Sequence, residues 1–235
     1  MRDMKFLLSA GLLAAVVFSS QPAASQSLTF PILPAHPRTS HDLVPPGWQI
    51  DSQAVGDLNG DGLPDKALVL LRGGKPIEGD DQLIVVATGR SDGSYDVAIQ
   101  NHGYFYREVD PDRSYSVTPV IARGTLRLRL DCGCGGSDGM DRLTLRWQQG
   151  RFYLIGYDYN YASRGSTEDG SIDYLTGVAR IGEGHVTHGN ENDPSHRSRT
   201  VRFTPKKLLT FDEIDWNGSF QHKQLCSIGV KPYCY

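Results

Sequence analysis

The feature that most constrains the fold is a two-residue alternation of apolar and polar side chains in the second half of the chain. The alternation runs over residues 126–131, over 143–148 and, after the pair Gln149-Gly150, over 152–161. Successive side chains of a strand point to opposite faces of its sheet, so a period of two predicts half-buried strands. Short glycine-containing connections separate the three runs, and the runs therefore predict an antiparallel meander.

The same alternation sorts the large side chains onto two faces of the predicted sheet. The arginines that fall on the face opposite the leucines are Arg127, Arg129 and Arg146. The residues predicted to share one face of the third strand are Tyr153, Ile155, Tyr157, Tyr159 and Tyr161. An ordinary sheet with a core face and a wet face accounts for both groups. The alternative is that an arginine face beside a tyrosine stripe binds a sugar or an anion.

Shorter strand-like runs occupy much of the remaining chain. These runs cover residues 66–71, 82–88, 95–100, 172–181 and 200–203. Residues 26–46 are instead rich in proline, which predicts an extended N-terminal segment. One domain over residues 47–235 is expected, because all-β folds reach this length undivided. The predicted fold class is mainly β: a single antiparallel, sheet-rich domain of sandwich or partial-propeller type with one calcium loop.

The first 25 residues have the pattern of a secretory signal peptide. Two basic residues precede an apolar stretch at 6–18, and the small residues Ala23 and Ser25 precede Gln26. This pattern predicts cleavage before Gln26. The mature protein would then be periplasmic or secreted and would have no membrane span after cleavage.

Four cysteines occur, all in the second half of the chain: Cys132, Cys134, Cys226 and Cys234. Export to an oxidising compartment predicts that they form disulfides. A local Cys226–Cys234 bridge would close a short C-terminal loop, whereas crossed pairing would attach the C-terminus to the glycine-rich stretch 132–139. The sequence favours the local bridge and leaves the connectivity open. Neither spacing is usual for a zinc site.

A loop of oxygen-bearing residues, 57–65, lies between two apolar runs. Its side-chain oxygens at positions one, three, five and nine belong to Asp57, Asn59, Asp61 and Asp65. Gly62 stands at position six, where a calcium loop turns sharply, and Leu63 can supply its backbone carbonyl at position seven. Three carboxylates this close repel one another without a cation, and a purely oxygen ligand set suits Ca²⁺ best and Mg²⁺ second. The alternative is an Asx- and glycine-rich turn that holds no ion.

The loop begins like an EF-hand but ends differently, because position twelve is Leu68 where an EF-hand needs a bidentate glutamate. An aspartate at position nine followed by a strand resembles the calcium loop of FG-GAP and VCBS repeats, as in integrin-type propellers. By that resemblance the Ca²⁺ ligands are Asp57, Asn59, Asp61, the Leu63 carbonyl and Asp65. The wider layout is similar to a group of exported bacterial proteins with one such loop. The stretches that carry this similarity are 46–48, 56–65, 150–156 and 173–177.

Two further polar clusters stand out. Glu108, Asp110 and Asp112 crowd one stretch, which is either a solvated loop, a second cation site or a catalytic pair. A histidine group contains His185, His188 and His196. Residues three apart on a strand point to opposite faces, so a weak, exposed histidine cluster is the favoured interpretation.

Charge and motifs narrow the class of function. The chain carries a net charge of −3 and no block of lysine or arginine, so nothing indicates a nucleic-acid partner. We expect an exported calcium-binding, non-enzymatic binding or scaffold module of the cell envelope, whose partner is an envelope protein or glycan. The alternative is an envelope hydrolase acting on a polysaccharide or peptidoglycan-type substrate. Its candidate acids are Asp80, Asp81, Glu108, Asp110 and Asp112.

Overall fold

The computed structural model describes residues 30–73, 82–102, 113–134, 137–163, 165–185, 196–215, 220–231 and 234. The predicted signal peptide and its cleavage site lie outside these residues, and export therefore stays a prediction. The candidate acids of the hydrolase alternative also lie outside the described residues: Asp80, Asp81, Glu108, Asp110 and Asp112.

The described strands form two antiparallel sheets, one of four strands and one of seven. The four-stranded sheet contains β1 (Trp48–Gly56), β2 (Asp65–Arg72), β3 (Gln82–Gly89) and β4 (Tyr95–Asn101) in that order. The seven-stranded sheet contains β5 (Arg113–Ala122), β6 (Thr125–Cys134), β7 (Ser137–Gln148), β8 (Arg151–Ser163), β9 (Ser166–Asp173), β10 (Val178–His185) and β11 (Arg197–Arg202). Each strand pairs with its neighbour in the chain, so both sheets are meanders. The predicted mainly β, antiparallel fold class is confirmed.

Two tight turns show why the chain folds back where it does. Arg123 and Gly124 connect β5 to β6 with φ angles of 52° and 67°, and Gln149 and Gly150 connect β7 to β8 with φ angles of 50° and 80°. Positive φ at both central residues gives a two-residue turn a twist that matches the twist of the two strands it connects. The turn predicted at Gln149-Gly150 is confirmed.

The four-stranded sheet is buried on both faces at its centre. Ala67, Val69, Ile84 and Val86 belong to a core shared with the seven-stranded sheet. The residues on the opposite face, Leu68, Leu70, Leu83, Val85 and Ala87, pack with Leu33, Leu43 and Trp48. The continuous apolar runs of β2 and β3 reflect this double burial, because neither face of the two strands is left to solvent.

The proline-rich segment lies along the outer edge of β4. The backbone amides of Tyr95 and Val97 donate to the carbonyls of Pro37 and Ala35 at 2.8 and 3.1 Å. Proline has no N–H to offer, but its carbonyl still accepts a hydrogen bond from the sheet edge. The segment therefore covers an edge that would otherwise present unpaired backbone groups to solvent. A 3₁₀ helix, Ser40–Leu43, then leads to β1.

The two sheets approach each other closely where β1 crosses β5. The Ser52 hydroxyl donates to the carbonyl of Val117 at 2.6 Å. A Cβ atom added at Gly56 would lie 2.5 Å from Cγ2 of Ile121, so only glycine fits at that position without a shift of the neighbour. This contact places the end of β1, and the loop that follows it, beside the β5–β6 turn.

The predicted tyrosine stripe on β8 is interrupted by a β-bulge. The pairing of β7 with β8 changes register between Thr144 and Leu145, which leaves Ile155 without a partner on β7. An extra residue reverses the phase of the alternation, so the prediction is wrong for Tyr153 and Ile155. The members of the stripe that do share the core-facing side are Tyr157, Tyr159 and Tyr161.

A helix that the sequence analysis did not predict covers this tyrosine face. It is α1 (Phe220–Ser227), and the ring of Phe220 meets that of Tyr157 edge-on at 5.0 Å between centroids. The Tyr174 hydroxyl donates to Oε1 of Gln224 at 2.5 Å. The helix continues into a disulfide between Cys226 and Cys234, whose Cα atoms are 4.9 Å apart. The favoured local bridge is confirmed and crossed pairing is wrong; Cys132 is also disulfide-bonded.

Candidate metal centre

The predicted calcium loop is the hairpin connection between β1 and β2. Gly56 pairs with Asp65 across the base of the hairpin, so residues 57–64 form the loop itself. Leu58 is 3% exposed and belongs to the core shared by the two sheets. The loop is therefore attached to the body of the protein at its base and by one buried side chain within it.

Short-range hydrogen bonds hold the loop in shape. The carboxylate of Asp57 accepts from the backbone amides of Gly60 and Gly62 at 2.7 and 2.9 Å. Asn59 Oδ1 accepts from the amide of Asp61 at 3.0 Å, and Asp61 Oδ1 accepts from that of Leu63 at 2.8 Å. The two glycines adopt φ angles of 83° and 79°, which other residues adopt only with strain. In such Asx turns, side chains of the loop accept hydrogen bonds from its own backbone amides and so fix its conformation.

Asp65 differs from the other loop acids because it is buried. Its side chain has 0% exposure, and its two oxygens accept from the amides of Leu58 at 2.7 Å and Gly89 at 2.8 Å. Burial raises the pKa of Asp65; the two amide hydrogen bonds oppose that shift, and repulsion from Asp61 and Asp57 adds to it. The carboxylate thus joins the loop to the end of β3, whatever else it binds.

Gly89 is a residue of this centre that the sequence analysis missed. A Cβ atom there would lie 2.5 Å from the carbonyl oxygen of Pro64. The end of β3 can therefore approach the loop closely enough to donate to Asp65 only because residue 89 has no side chain. No local pattern marks this role, since Gly89 is 24 residues from Asp65.

The predicted ligands of the loop are of the kind that a hard cation prefers. All five predicted ligands offer oxygen, and residues 57–65 include no lysine, arginine or histidine that could neutralise the three carboxylates. A carboxylate oxygen that accepts one hydrogen bond keeps a second lone pair for a metal. In the described part of the chain, however, no three His, Cys, Asp or Glu side chains are gathered closely enough to hold an ion. Calcium binding therefore stays a prediction.

The arginine face exists, and one of its three arginines, Arg129, forms an ion pair with a neighbouring aspartate. Pairing of β6 with β7 puts Arg127, Arg129 and Arg146 on one side of the sheet, as the alternation predicts. The guanidinium of Arg129 makes two-pronged contact with Asp131, the shortest at 2.8 Å. With Tyr157 and Tyr159 only 0% and 2% exposed, the structure supports an ordinary sheet with a core face and a wet face.

Of the three predicted histidines, the structure describes His185 and His196. His196 Nε2 lies 2.5 Å from Oδ1 of Asp169, on the wet face of the sheet. His185 ends β10, and His188 lies outside the described residues.

A serine-hydrolase pattern, Gly-x-Ser-x-Gly, occurs at residues 89–93 and 135–139. Ser91 of the first match is exposed in the turn between β3 and β4. A nucleophile elbow needs a strand followed by a helix, so a turn between antiparallel strands does not provide one. The second match includes residues 135 and 136, which are outside the described part of the chain.

A half-buried acid, Asp141, also escaped the sequence analysis. It lies on the face of β7 that carries the leucines, and it accepts hydrogen bonds from the hydroxyls of Tyr157 and Tyr161. Burial raises the pKa of Asp141, and the two phenol hydrogen bonds oppose the shift. The signal was present, since residue 141 is polar in the same phase as Leu143 and Leu145.

Comparison with protein-family models, with curated proteins and with solved structures finds no match for the chain. The centre is therefore interpreted from its own geometry. Among the described helices, none has both the length and the apolar character needed to cross a membrane.

Proposed function

We propose that this protein is an exported, calcium-binding and non-enzymatic binding or scaffold module of the cell envelope. The observation that carries the proposal is the β1–β2 loop, which presents five oxygen donors and three carboxylates with no basic residue among them. Its resemblance to the FG-GAP and VCBS calcium loop supports Ca²⁺ as the ion. The residues that would hold it are Asp57, Asn59, Asp61, Leu63 and Asp65.

The role of the ion would be structural. When bound, Ca²⁺ would offset the mutual repulsion of Asp57, Asp61 and Asp65, which the loop does not neutralise by itself. The loop is already linked to β3 through Asp65 and Gly89. Stabilising the loop would therefore stabilise the end of the four-stranded sheet where β1, β2 and β3 meet.

Calcium titration of the intact protein tests this proposal. Extracellular calcium sites have Kd values of about 10⁻⁴ to 10⁻³ M, and calorimetry should find a value in that range. Binding only to the folded state adds about 2.7 kcal/mol to the free energy of unfolding at a hundredfold excess over Kd. We expect the melting temperature to rise in Ca²⁺ and to fall in chelator.

Asp61→Asn and Asp92→Asn form a matched pair for this experiment. Both aspartates are exposed, and each accepts a hydrogen bond from the backbone amide two residues later in the chain. They differ in place, because Asp92 lies in the β3–β4 turn, outside the β1–β2 loop. Asparagine keeps that hydrogen bond and removes the charge. Asp61→Asn should weaken Ca²⁺ binding, because it removes one carboxylate charge and keeps an amide oxygen, and Asp92→Asn should leave the Ca²⁺ affinity unchanged. Equal melting of the wild type in Ca²⁺ and in chelator would leave the ion-free turn as the correct interpretation.

The partner of the module is proposed to be an envelope protein or glycan. Co-purification from the native envelope fraction, with and without chelator, would identify it. The hydrolase alternative depends on acids outside the described residues, and nothing in the described residues favours it.

A further inference from the structure

The β3–β4 hairpin lies between the β1–β2 loop and the N-terminal segment, and it is hydrogen-bonded to both. At the end of β3, the amide of Gly89 donates to the buried carboxylate of Asp65 at 2.8 Å. Gly89 pairs directly with Tyr95 of β4, and the amide of Tyr95 donates to the carbonyl of Pro37 at 2.8 Å. One pair of facing residues thus connects the loop to the segment.

Side chains add a second connection beside the first. The guanidinium of Arg90 donates to the carboxylate of Asp96 at 2.9 Å, and Oδ1 of Asp96 lies 2.5 Å from Nδ1 of His36 in the segment. The ammonium group of Lys66, at the start of β2, lies 5.8 Å from the centroid of the Tyr95 ring. Exposed ion pairs contribute little singly, so the backbone hydrogen bonds are the main connection.

The turn that joins β3 to β4 is itself closed by hydrogen bonds. The amide of Arg90 donates to the carbonyl of Ser94, and the amide of Gly93 donates to the carbonyl of Arg90, both at 2.9 Å. The carboxylate of Asp92 accepts from the amide of Ser94 at 3.0 Å. Coupling between sites is carried by hydrogen-bonded networks and rigid elements of this kind. A change at the β3 side of the turn should therefore reach its β4 side.

The N-terminal segment covers a surface that is otherwise open to solvent. Besides Pro37, Ala35 accepts a hydrogen bond from the edge of β4, and Leu33 and Leu43 pack on the apolar face of the four-stranded sheet. Departure of the segment would expose both the edge and that face. Docking of the segment is thus a change of state with a large effect on what the protein can bind.

We propose that the β1–β2 loop controls the docking of the N-terminal segment, so that calcium at the loop keeps the edge of β4 covered and its loss uncovers that edge. Without a cation, the carboxylates of Asp57 and Asp61 repel that of Asp65 and weaken its hold on Gly89. A bound cation offsets this repulsion and fixes the carboxylate in place. This inference rests on the calcium-binding function proposed above and adds a regulatory role to it.

Hydrogen exchange of the intact protein, measured at single amides by NMR, tests the connection. In chelator, Asp65→Asn should speed exchange of the Tyr95 and Val97 amides at least about fivefold, the low end of usual coupling between sites. The change is measured relative to the amide of Leu154, which donates to the carbonyl of Leu209 at 2.8 Å in the other sheet.

Asp173→Asn is the matched control. The carboxylate of Asp173 also accepts hydrogen bonds from two backbone amides, but it lies in the turn between β9 and β10. This variant should leave exchange at Tyr95 and Val97 unchanged. Circular dichroism of each variant checks that the fold is retained.

Asp96→Asn tests the same connection from the other side, at a partly exposed position. It removes the charge that holds His36 and Arg90, and it should speed exchange of the Gly89 amide by about two- to fivefold, the effect of exposed ion pairs. Unchanged exchange at Tyr95 and Val97 in Asp65→Asn together with unchanged exchange at Gly89 in Asp96→Asn would overturn the inference. An equal change at Leu154 would also overturn it, because the effect would then be global.

The calcium arm uses the wild type, with calorimetry on the same sample. Millimolar Ca²⁺ should slow exchange at Tyr95 and Val97 at least about fivefold relative to Leu154. Calcium binding that leaves these two amides unaltered would overturn the inference and leave the calcium proposal standing. Absence of any calcium binding in calorimetry would overturn both.

Discussion

At the scale of single residues, the buried Asp65 and the half-buried Asp141 show how its surroundings decide what a carboxylate binds. Asp65 accepts hydrogen bonds from two backbone amides and joins the β1–β2 loop to β3. Asp141 accepts hydrogen bonds from two tyrosine hydroxyls beneath α1. Burial raises the pKa of both carboxyls, and hydrogen bonds oppose the shift in both. Both side chains therefore contribute to stability in ways that can be measured apart from any ligand.

Asp65→Asn should destabilise the protein even in chelator. The carboxylate of Asp65 accepts hydrogen bonds from two backbone amides, one on each oxygen. Asparagine has only one side-chain oxygen, and its NH₂ group cannot accept. One of the two buried backbone amides would therefore lose its hydrogen bond. The cost of such a loss is about 1–3 kcal/mol. Urea unfolding in chelator measures it, with Asp61→Asn as the control because Asp61 is exposed. If the two variants unfold at the same urea concentration, Asp65 does not hold the loop as described.

Asp141→Asn should change how stability depends on pH. The folded-state pKa of Asp141 is raised above its ordinary value of 3.8, so ionisation of this group costs stability as pH rises. This loss in the free energy of unfolding is absent below about pH 3.8, and it grows with pH until the pH has passed the folded-state pKa of Asp141. The variant cannot ionise, and its stability relative to wild type should therefore improve from acid to neutral pH. Urea unfolding across that range tests this; a pH-independent difference between the two proteins would contradict it.

At the scale of elements, the N-terminal segment belongs to the fold even though its sequence is not strand-like. Pro37 and Ala35 accept hydrogen bonds from the edge of β4, and Leu33 and Leu43 cover the apolar face of the four-stranded sheet. An edge strand and an apolar face are both protected by one extended segment. This arrangement gives the proline-rich composition a physical purpose, because proline can cover an edge without extending the sheet.

A chain beginning at Gly47 should therefore be less stable and more prone to associate than one beginning at Gln26. Without the segment, Leu68, Leu70 and Val85 would lose the cover of Leu33 and Leu43, and the edge of β4 would be open. Size-exclusion chromatography and thermal unfolding of the two chains measure the difference. A shortened chain that remains monomeric and melts at the same temperature would show that the segment is only loosely attached.

At the scale of the whole molecule, the two sheets and the C-terminal helix share one core. Leu58 from the β1–β2 loop, Val117 from β5 and Leu225 from α1 all belong to it. The Cys226–Cys234 bridge closes the chain just beyond the helix.

Export predicts a mature N-terminus at Gln26 and no free thiols. Intact-mass measurement of protein recovered from the periplasm or the medium should give the mass of residues 26–235, less the hydrogens lost in disulfide formation. Thiol labelling after denaturation without reductant should label no cysteine, because an oxidising compartment keeps the bridges closed. Retention of Met1, or labelling of all four cysteines, would contradict the predicted export.

The sequence by itself determined the features that depend on near neighbours. Alternation predicted the strands of the meander, Gln149-Gly150 predicted a turn, and the spacing of Asp57 to Asp65 predicted a loop of oxygen donors. These signals are local because side-chain direction, turn conformation and Asx hydrogen bonding depend on residues only a few positions apart. The signal at Asp141 is equally local, because an acid in the same phase as Leu143 and Leu145 indicates a carboxylate on the leucine face of β7.

Only the tertiary structure decided which distant residues meet. The hydrogen bond from Gly89 to Asp65 and the approach of β1 to β5 join segments that no short pattern relates. The bulge at Ile155 was also hidden, because one extra residue reverses the face of the side chains before it without changing the composition. Packing selects such arrangements by the fit of whole surfaces, and a sequence read in short windows contains no measure of that fit.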